Sequence, residues 1–423
     1  MVAMTVTDAD LDHLVAEAHS RYRATRPRSA EIDQRARGVM PGGNTRSVLD
    51  FAPFPFRVER AQGAEFVDLD GHRYVDLCGN YTAGLLGHSP ARIRAAVTEA
   101  LEQGWAIGAT HPREVELAEL IVDRFPSIEQ VRFTNSGTEA NLMAVGTAVH
   151  VTGRSGVLVF DRGYHGGVLS FGPRTDGPHH PLNVPHDFRV GRFDDLDDAT
   201  AHLETGELAC VLVEAVQGSG GCRPASVEFL LGLRERCDAT GTLLILDEVM
   251  TSRLAPGGAQ ERFGVLPDLT TLGKYLGGGM TFGAFGGRRV VLEAFDPSVG
   301  GALSQAGTFN NNVASMAAAI ATLRHELSDD RVRAVNERGD RLRVRLDEVL
   351  SASPLPMWVT GLGSMLCVHT DDDRLLDLWF HAMVEQGLFP ARRGFMALSM
   401  EVSDADCDRL VAATSAWVSG VPE

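Results

Sequence analysis

The sequence predicts an α/β fold built on a mostly parallel sheet, and three observations carry that prediction. From Glu114 to about Ser219 short apolar runs alternate with helical patterns, the rhythm of βα units. The run Leu243-Leu-Ile-Leu246 is apolar at every position, as in a strand covered by helices on both faces, and it stops at Asp247-Glu248. The 423 residues include 45 glycines, suited to many tight strand-helix turns, and 44% are hydrophobic, enough for a large core.

Taken in order, Leu11, Leu14, Val15 and Ala18 fall at helical spacing and predict a helix from about Asp8 to Thr25, capped by Thr7 or Asp8. The Arg-rich stretch to Arg37 is expected to be partly helical and exposed. Met40 to Val48 is a turn-rich loop, and two prolines in Phe51-Ala-Pro-Phe-Pro-Phe56 forbid a central strand. Residues 57–77 alternate polar and apolar around Asp70-Gly71, as in a short antiparallel meander. A loop from Tyr81 to Pro90 leads into a helix to about Gln103. Then come a helix to Phe125, strand 130–133, a helix from Thr138, strands 156–160 and 209–214, a helix near 226–239 and strand 243–247. An alanine-rich helix to about Glu326 and a charged, Leu/Val-periodic one over 330–351 precede an α+β tail. No repeat, low-complexity tract or long linker interrupts the chain.

Composition narrows the function. A formal net charge of -17 repels nucleic acid and anionic membrane alike. Six scattered cysteines without Cys-x-x-Cys spacing fit reduced thiols in a cytoplasmic protein better than a disulfide framework or zinc site. The first residues lack a basic region followed by an apolar run, and no segment reaches the ~20 apolar residues of a membrane span.

The residues that carry chemistry cluster at predicted strand ends. Asp247 closes the apolar strand, at the carboxyl edge where α/β sheets bind ligands. Lys274 follows on a segment closed by Gly277-Gly-Gly279. A buried carboxylate and a lysine on a Gly-rich turn are what a pyridoxal phosphate enzyme needs, the lysine for the Schiff base and the carboxylate for the pyridine nitrogen. A strand-terminal Asp is also a common turn former, and a lone Lys a common surface residue. In Phe133-Thr-Asn-Ser-Gly-Thr-Glu-Ala140, a helix start with flanking hydroxyls makes a site for one phosphate. Ser136-x-x-Glu139 equally fits a capping box, and the two readings are compatible. Gly163-Tyr-His-Gly-Gly167 offers an aromatic ring near the same edge, and Val213-Glu-Ala-Val-Gln-Gly218 adds a strand-end carboxylate and an amide.

These pieces resemble the class III, fold type I pyridoxal phosphate aminotransferases. The motifs are Asn135-Ser-Gly-Thr-Glu-Ala-Asn141, Gly163-Tyr-His-Gly166, Leu246-Asp-Glu-Val249, Leu272-Gly-Lys274 with the three glycines, and Gly307-Thr308, in the family's order over nearly the whole chain. The resemblance implies a large cofactor-binding domain over 76–315 and a small α+β domain from both termini, 1–75 and 316–423. Lys274 then corresponds to the covalent lysine and Asp247 to the partner of the pyridine nitrogen. Ser136, Gly137 and Thr138 correspond to the phosphate cup, while Tyr164 and Val249 cover the two ring faces. Thr308 resembles the threonine that reaches the phosphate of a neighbouring subunit, which implies a homodimer. Glu214 and Gln217 are similar to site-lining positions. No metal is implied.

Within the class, the chain resembles the branch of the β-phenylalanine aminotransferases and glutamate-1-semialdehyde aminomutases. Met40 to Val48, Phe51 to Pro55, Tyr81-Thr-Ala-Gly84, Asp247 to Pro256, Gly307 to Asn312 and Arg393-Gly-Phe395 carry it. Asn44-Thr-Arg-Ser47 stands where the aminomutase pattern has Ser-Pro-Val-Arg. The implied activity is transfer of the amino group of a β-amino acid, aromatic by resemblance, to a 2-oxo acid. The alternative is an intramolecular aminomutase, and a reading from another class makes Glu214, Asp247, Glu248 and Asp268 ligands of a hard cation. Arg46 and Arg393 are the resemblance-derived carboxylate anchors, with Arg392 adjacent to the second. Val48 and Tyr81 are expected to wall the side-chain pocket, and Phe54 and Phe56 either to join them or, as Phe residues beside prolines more often do, to pack in the core.

Overall fold

The computed structural model describes residues 8–172 and 180–420, and the chain falls into two compact units. One joins the residues up to Pro90 to those from Val335 onward; the other is Ala91–Ala334. The divisions expected at 75/76 and 315/316 therefore shift, and hydrogen bonds account for both shifts. Residues 77–90 are tied to the C-terminal segment, with Leu77 N donating to Phe389 O, Ala397 N to Leu77 O and Met400 N to Leu85 O. The segment after 315 stays with the central unit, where Arg92 and Arg124 donate to the carbonyls of His325 and Leu327.

The first unit opens with α1 (Asp8–Thr25), where periodicity predicts it, and α2 (Pro27–Arg37), in the stretch expected to be partly helical. Thr7, one of the two expected caps of α1, lies outside the described residues. The meander follows as β1 (Val58–Gln62), β2 (Glu65–Asp68) and β3 (Arg73–Asp76), paired antiparallel in sequence.

The second unit contains α3 (Ala91–Glu102), α4 (Pro112–Arg124), β4 (Gln130–Thr134), α5 (Gly137–Thr152), β5 (Gly156–Phe160), β6 (Asp187–Gly191), α6 (Leu196–Leu203) and β7 (Leu208–Val213). A two-residue ladder, β8 (Val216–Gln217) with β9 (Arg223–Pro224), leads to α7 (Val227–Thr240), β10 (Leu243–Asp247), α8 (Ala259–Phe263), β11 (Leu269–Gly273), β12 (Gly283–Gly287), α9 (Arg289–Leu292) and α10 (Val313–Ala321). Its main sheet has the order β4-β12-β11-β10-β7-β5-β6. Strand β12 is antiparallel to both neighbours and the other pairs are parallel, so β4 runs with the remaining five. Strands β5 and β7 are buried at every position, as a sheet covered on both faces requires. Ala140, Ala144, Val145 and Ala148 of α5 pack on Val157, Val159, Leu212 and Ile245, and the small alanines let the helix lie close to the sheet.

Helix α11 (Asp329–Ser351) contains the second division, and β13 (Met357–Leu362), β14 (Met365–Thr370), α12 (Asp373–Glu385), β15 (Leu388–Phe389), β16 (Phe395–Ala397) and α13 (Asp404–Gly420) complete the chain. Strand β15 adds parallel to β3, and β13-β14-β16 form a separate antiparallel sheet. Phe54 and Phe56, open to reading as pocket wall or as core, are core residues of this unit, packed with Tyr22, Phe66, Tyr74 and Phe380. Flanking prolines deny them a strand, and aromatic neighbours on every side bury them.

Candidate active site

In the second unit the strand ends bring the predicted residues to one edge of the sheet. Asp247 ends β10, only 4% exposed. Its Oδ2 accepts from Asn141 Nδ2 at 2.8 Å and lies 2.7 Å from His165 Nδ1, and its Oδ1 accepts from the Val249 N–H at 3.0 Å. Asn141 is held in turn by the Thr271 hydroxyl, which donates to its Oδ1 at 2.7 Å. A buried carboxylate gripped by three donors has a fixed orientation, and it suits a cationic N–H group. His165, 3% exposed, and Asn141 were absent from the predicted site. Both stand in motifs quoted above, but their convergence on Asp247 across 82 and 106 residues is a property of the fold.

Lys274 follows β11 directly and begins a short 3₁₀ turn with φ at +53°. A non-glycine residue in the left-handed region costs about 1–2 kcal/mol, a strain that concentrates at functional positions. Beside it, Gly137, Gly273 and Val249 crowd together. A β-carbon on Gly137 would come within 2.7 Å of both Val249 methyls, and one on Gly273 within 3.2 Å of Val249 Cγ1. Gly166 is equally tight against Thr138, whose hydroxyl would lie 2.2 Å from an added β-carbon.

Ser136 is the N-cap of α5, its Oγ accepting from Glu139 N at 3.2 Å. Only half of the capping box forms, because the Glu139 carboxylate accepts from the Asn135 N–H at 2.7 Å instead. The first turn of a 16-residue helix, with the Ser136 and Thr138 hydroxyls, is a site that can hold a phosphate.

Tyr164 is 40% exposed, and its backbone N–H donates to Glu214 Oε2 at 3.0 Å. Glu214 Oε1 accepts from Gly218 N at the same distance, so the carboxylate pins two turns together. Burial pushes the Glu214 carboxyl up to about 7; His165 opposes the shift, the charge of Asp247 adds to it, and the two N–H donors oppose it. Gln217 donates to Asp161 O at 2.7 Å, while its buried Oε1 has no hydrogen-bond partner among the described residues. Thr308 is exposed on the loop before α10, which Asn310 links to the Asn135 side chain at 3.0 Å.

The hard-cation set does not assemble. Glu248 turns away from Asp247 to accept from the N–H groups of Ala259 and Gln260 and from Gln260 Nε2. Asp268 precedes β11 at the opposite end and is paired with Arg234 at 2.7 Å and Arg288 at 2.9 Å.

In the first unit, Arg46 and Arg393 lie 5.6 and 5.2 Å from the ring centroid of Tyr81. Phe395 stacks on the same ring at 5.4 Å, and the Tyr81 hydroxyl donates to Val48 O at 2.9 Å. Burial raises the Tyr81 phenol well above its ordinary range, so it stays neutral. Arg392 is engaged elsewhere, with Nε donating to the buried Asp377 at 2.9 Å. Val48 is exposed on the short turn that follows Arg46.

A buried carboxylate, a lysine amine on a strained turn, a helix start with two hydroxyls and glycine-lined clearance fit pyridoxal 5′-phosphate in size and charge. The class III aminotransferase family model matches residues 50–416. The β-phenylalanine transaminase of Variovorax paradoxus is 46% identical over 98% of both chains, and its solved structure superposes with a TM-score of 0.94, covering 97% of this chain and 98% of that one. A transaminase solved with PLP bound is 31% identical, with a TM-score of 0.86 and coverage of 93% and 97%. A glutamate-1-semialdehyde aminomutase of Pseudomonas aeruginosa PAO1 shares the fold, with a TM-score of 0.89 at 23% identity and coverage of 97% and 98%.

Proposed function

Because the chain belongs to the class III aminotransferases, we propose that it is a pyridoxal-phosphate-dependent enzyme moving the amino group of an aromatic β-amino acid, of the β-phenylalanine type, to a 2-oxo acid such as 2-oxoglutarate or pyruvate. The observation that carries the substrate class is the match to the β-phenylalanine transaminase along 98% of both chains. Two guanidiniums flanking one buried tyrosine support it. A β-amino acid carries its amine one carbon further from the carboxylate than the α-amino acid formed from the acceptor, so two carboxylate grips serve two substrates in turn. With Arg392 committed to Asp377, Arg393 is our second anchor.

When bound, pyridoxal 5′-phosphate supplies the electron sink that lets an amine-bearing carbon give up a proton. The Asp247 carboxylate, oriented by Asn141, His165 and Val249 N, would hold the proton on the pyridine nitrogen. Lys274 Nζ would hold the aldehyde carbon at rest, then take and return the substrate proton once displaced. Ser136, Gly137, Thr138 and the start of α5 would bind the phosphate, Tyr164 and Val249 would bracket the ring, and Glu214 would keep the Tyr164 turn in place. We assign Thr308 to the phosphate of a second subunit, in a homodimer with shared sites. We place it in the cytoplasm, a reading that six buried cysteines support. The intramolecular amino shift has no observation of its own, since 23% identity to an aminomutase speaks for the fold alone.

A half-reaction tests the proposal. With β-phenylalanine and no acceptor, the cofactor absorbance is expected to change from that of the aldehyde to that of the amine form, and Lys274→Ala to slow the change by about 10²-fold or more. An unchanged spectrum with β-phenylalanine, alongside conversion by an α-amino acid or a diamine, refutes the donor class.

A further inference from the structure

We propose that Asn80 is a positioning residue for Arg46, an uncharged acceptor that aims the guanidinium while leaving its charge for a substrate carboxylate. This rests on the reading of Arg46 as a carboxylate anchor. Asn80 Oδ1 accepts from Arg46 Nη1 at 2.8 Å. Among the described residues no carboxylate pairs with Arg46. Elsewhere in the same unit Arg37 and Arg57 end on Asp33, Arg374 on Asp372 and Arg392 on Asp377.

The backbone under Asn80 shows that this contact is built at a cost. Gly79, Asn80, Tyr81 and Thr82 have φ values of +53°, +46°, +53° and +78°, a four-residue left-handed turn. Each non-glycine member is strained there, least of all Asn, whose short amide side chain tolerates this region. The Thr82 hydroxyl inside the turn is buried and, among the described residues, has no hydrogen-bond partner, so the turn is not there to satisfy its own groups. The surroundings impose it. Asp76 Oδ1 accepts from Gly79 N at 2.9 Å, Gly84 N donates to Gly79 O at 2.8 Å, and a β-carbon on Gly79 would lie 2.2 Å from Ala397 O. What the turn delivers is Asn80 to Arg46, and Tyr81 to a place beside both Arg46 and Arg393. A carboxylate at position 80 would occupy the same guanidinium that an incoming carboxylate needs.

Asn80→Asp and Asn80→Gly separate charge from shape, because both replacements tolerate a left-handed backbone. In the holoenzyme, kcat and KM for donor and acceptor are compared with those of Arg46→Ala, together with competitive inhibition by glutarate, a dicarboxylate with no oxo group to react. Asn80→Asp is expected to raise whichever KM Arg46→Ala raises by about tenfold or more, to weaken glutarate likewise, and to put the loss in KM rather than kcat. Asn80→Gly, which frees Arg46 without neutralising it, is expected to raise the same KM by a smaller factor, about two- to fivefold. Should both Asn80 variants stay within about twofold of the parent while Arg46→Ala weakens binding, the Asn80 inference is wrong and the Arg46 reading stands. An Arg46→Ala enzyme with unchanged KM and glutarate affinity removes both. If Asn80→Asp does not fold, Asn80→Gly decides, and an unchanged KM there overturns the inference.

Discussion

A single β-carbon at Gly137 is enough to disturb the site, because both methyls of Val249 already occupy the space it would take. Gly137→Ala is expected to cost about 1–3 kcal/mol of stability and to weaken cofactor retention. Val249→Ala should restore much of the stability, and a double-mutant cycle by urea unfolding checks the coupling. His381 gives a pH test of a different kind. Burial holds its imidazole neutral, with the pKa lowered from 6.5 to about 4, despite Asp377 nearby. The unfolded chain binds this proton first, so the stability His381 contributes is full above pH 6.5 and is lost as pH falls toward 4. The stability gap between the parent and His381→Gln should therefore narrow from pH 7.5 to pH 5, as read by chemical unfolding. The placement of Ser136, Tyr164 and Asp247 at strand ends was legible in the sequence, because each follows or closes an apolar run, and that of Lys274 on a tight turn, because three glycines close it. The contacts of His165 and Asn141 with Asp247 were not, since nothing local announces them.

Among the elements, the long periodic helices such as α1, α4 and α7 and the fully apolar strands β5, β7 and β10 were readable, because one pattern dominates each. The short helices α6, α8 and α9 and strands β6, β11 and β12 were not. Gly283-Ala-Phe-Gly-Gly287 has little strand propensity, and its glycines answer to neighbours. Added β-carbons would lie 2.2 Å from Ser136 O at 283, 2.7 Å from Gln130 O at 286 and 2.1 Å from Asp268 O at 287. The alanine-rich helix expected to run to Glu326 instead ends at Ala321 and loosens into a π-helical turn over Thr322–Glu326. Element boundaries also sort the ion pairs. Asp268, buried before β11, holds Arg234, Arg288 and the Leu244 N–H. Asp404 opens α13 and meets Arg338 and Arg341 of α11 in solvent. Asp268→Ala is expected to cost about 3–5 kcal/mol and Asp404→Ala to leave stability nearly unchanged, a contrast that thermal unfolding of the two variants resolves.

For the whole molecule, the expected assembly is a homodimer, with a solution mass about twice the 45.5 kDa of the chain. Light scattering measures this directly, and Thr308→Ala should loosen the cofactor without changing the mass if the threonine serves a neighbouring site. The fold class was readable from alternation and glycine content. Where the chain divides was not, because the divisions depend on which segment bonds to which terminus. That division also bears on how such an enzyme diversifies. The groups we assign to bond-making chemistry, Asp247 and Lys274 with the phosphate cup, all belong to residues 91–334, whereas the groups we assign to recognition, at 46, 48, 81 and 393, all belong to the other unit. A lineage, or a protein engineer, can therefore vary which acid is accepted through substitutions toward the two ends of the gene while the reaction itself is inherited intact in its middle.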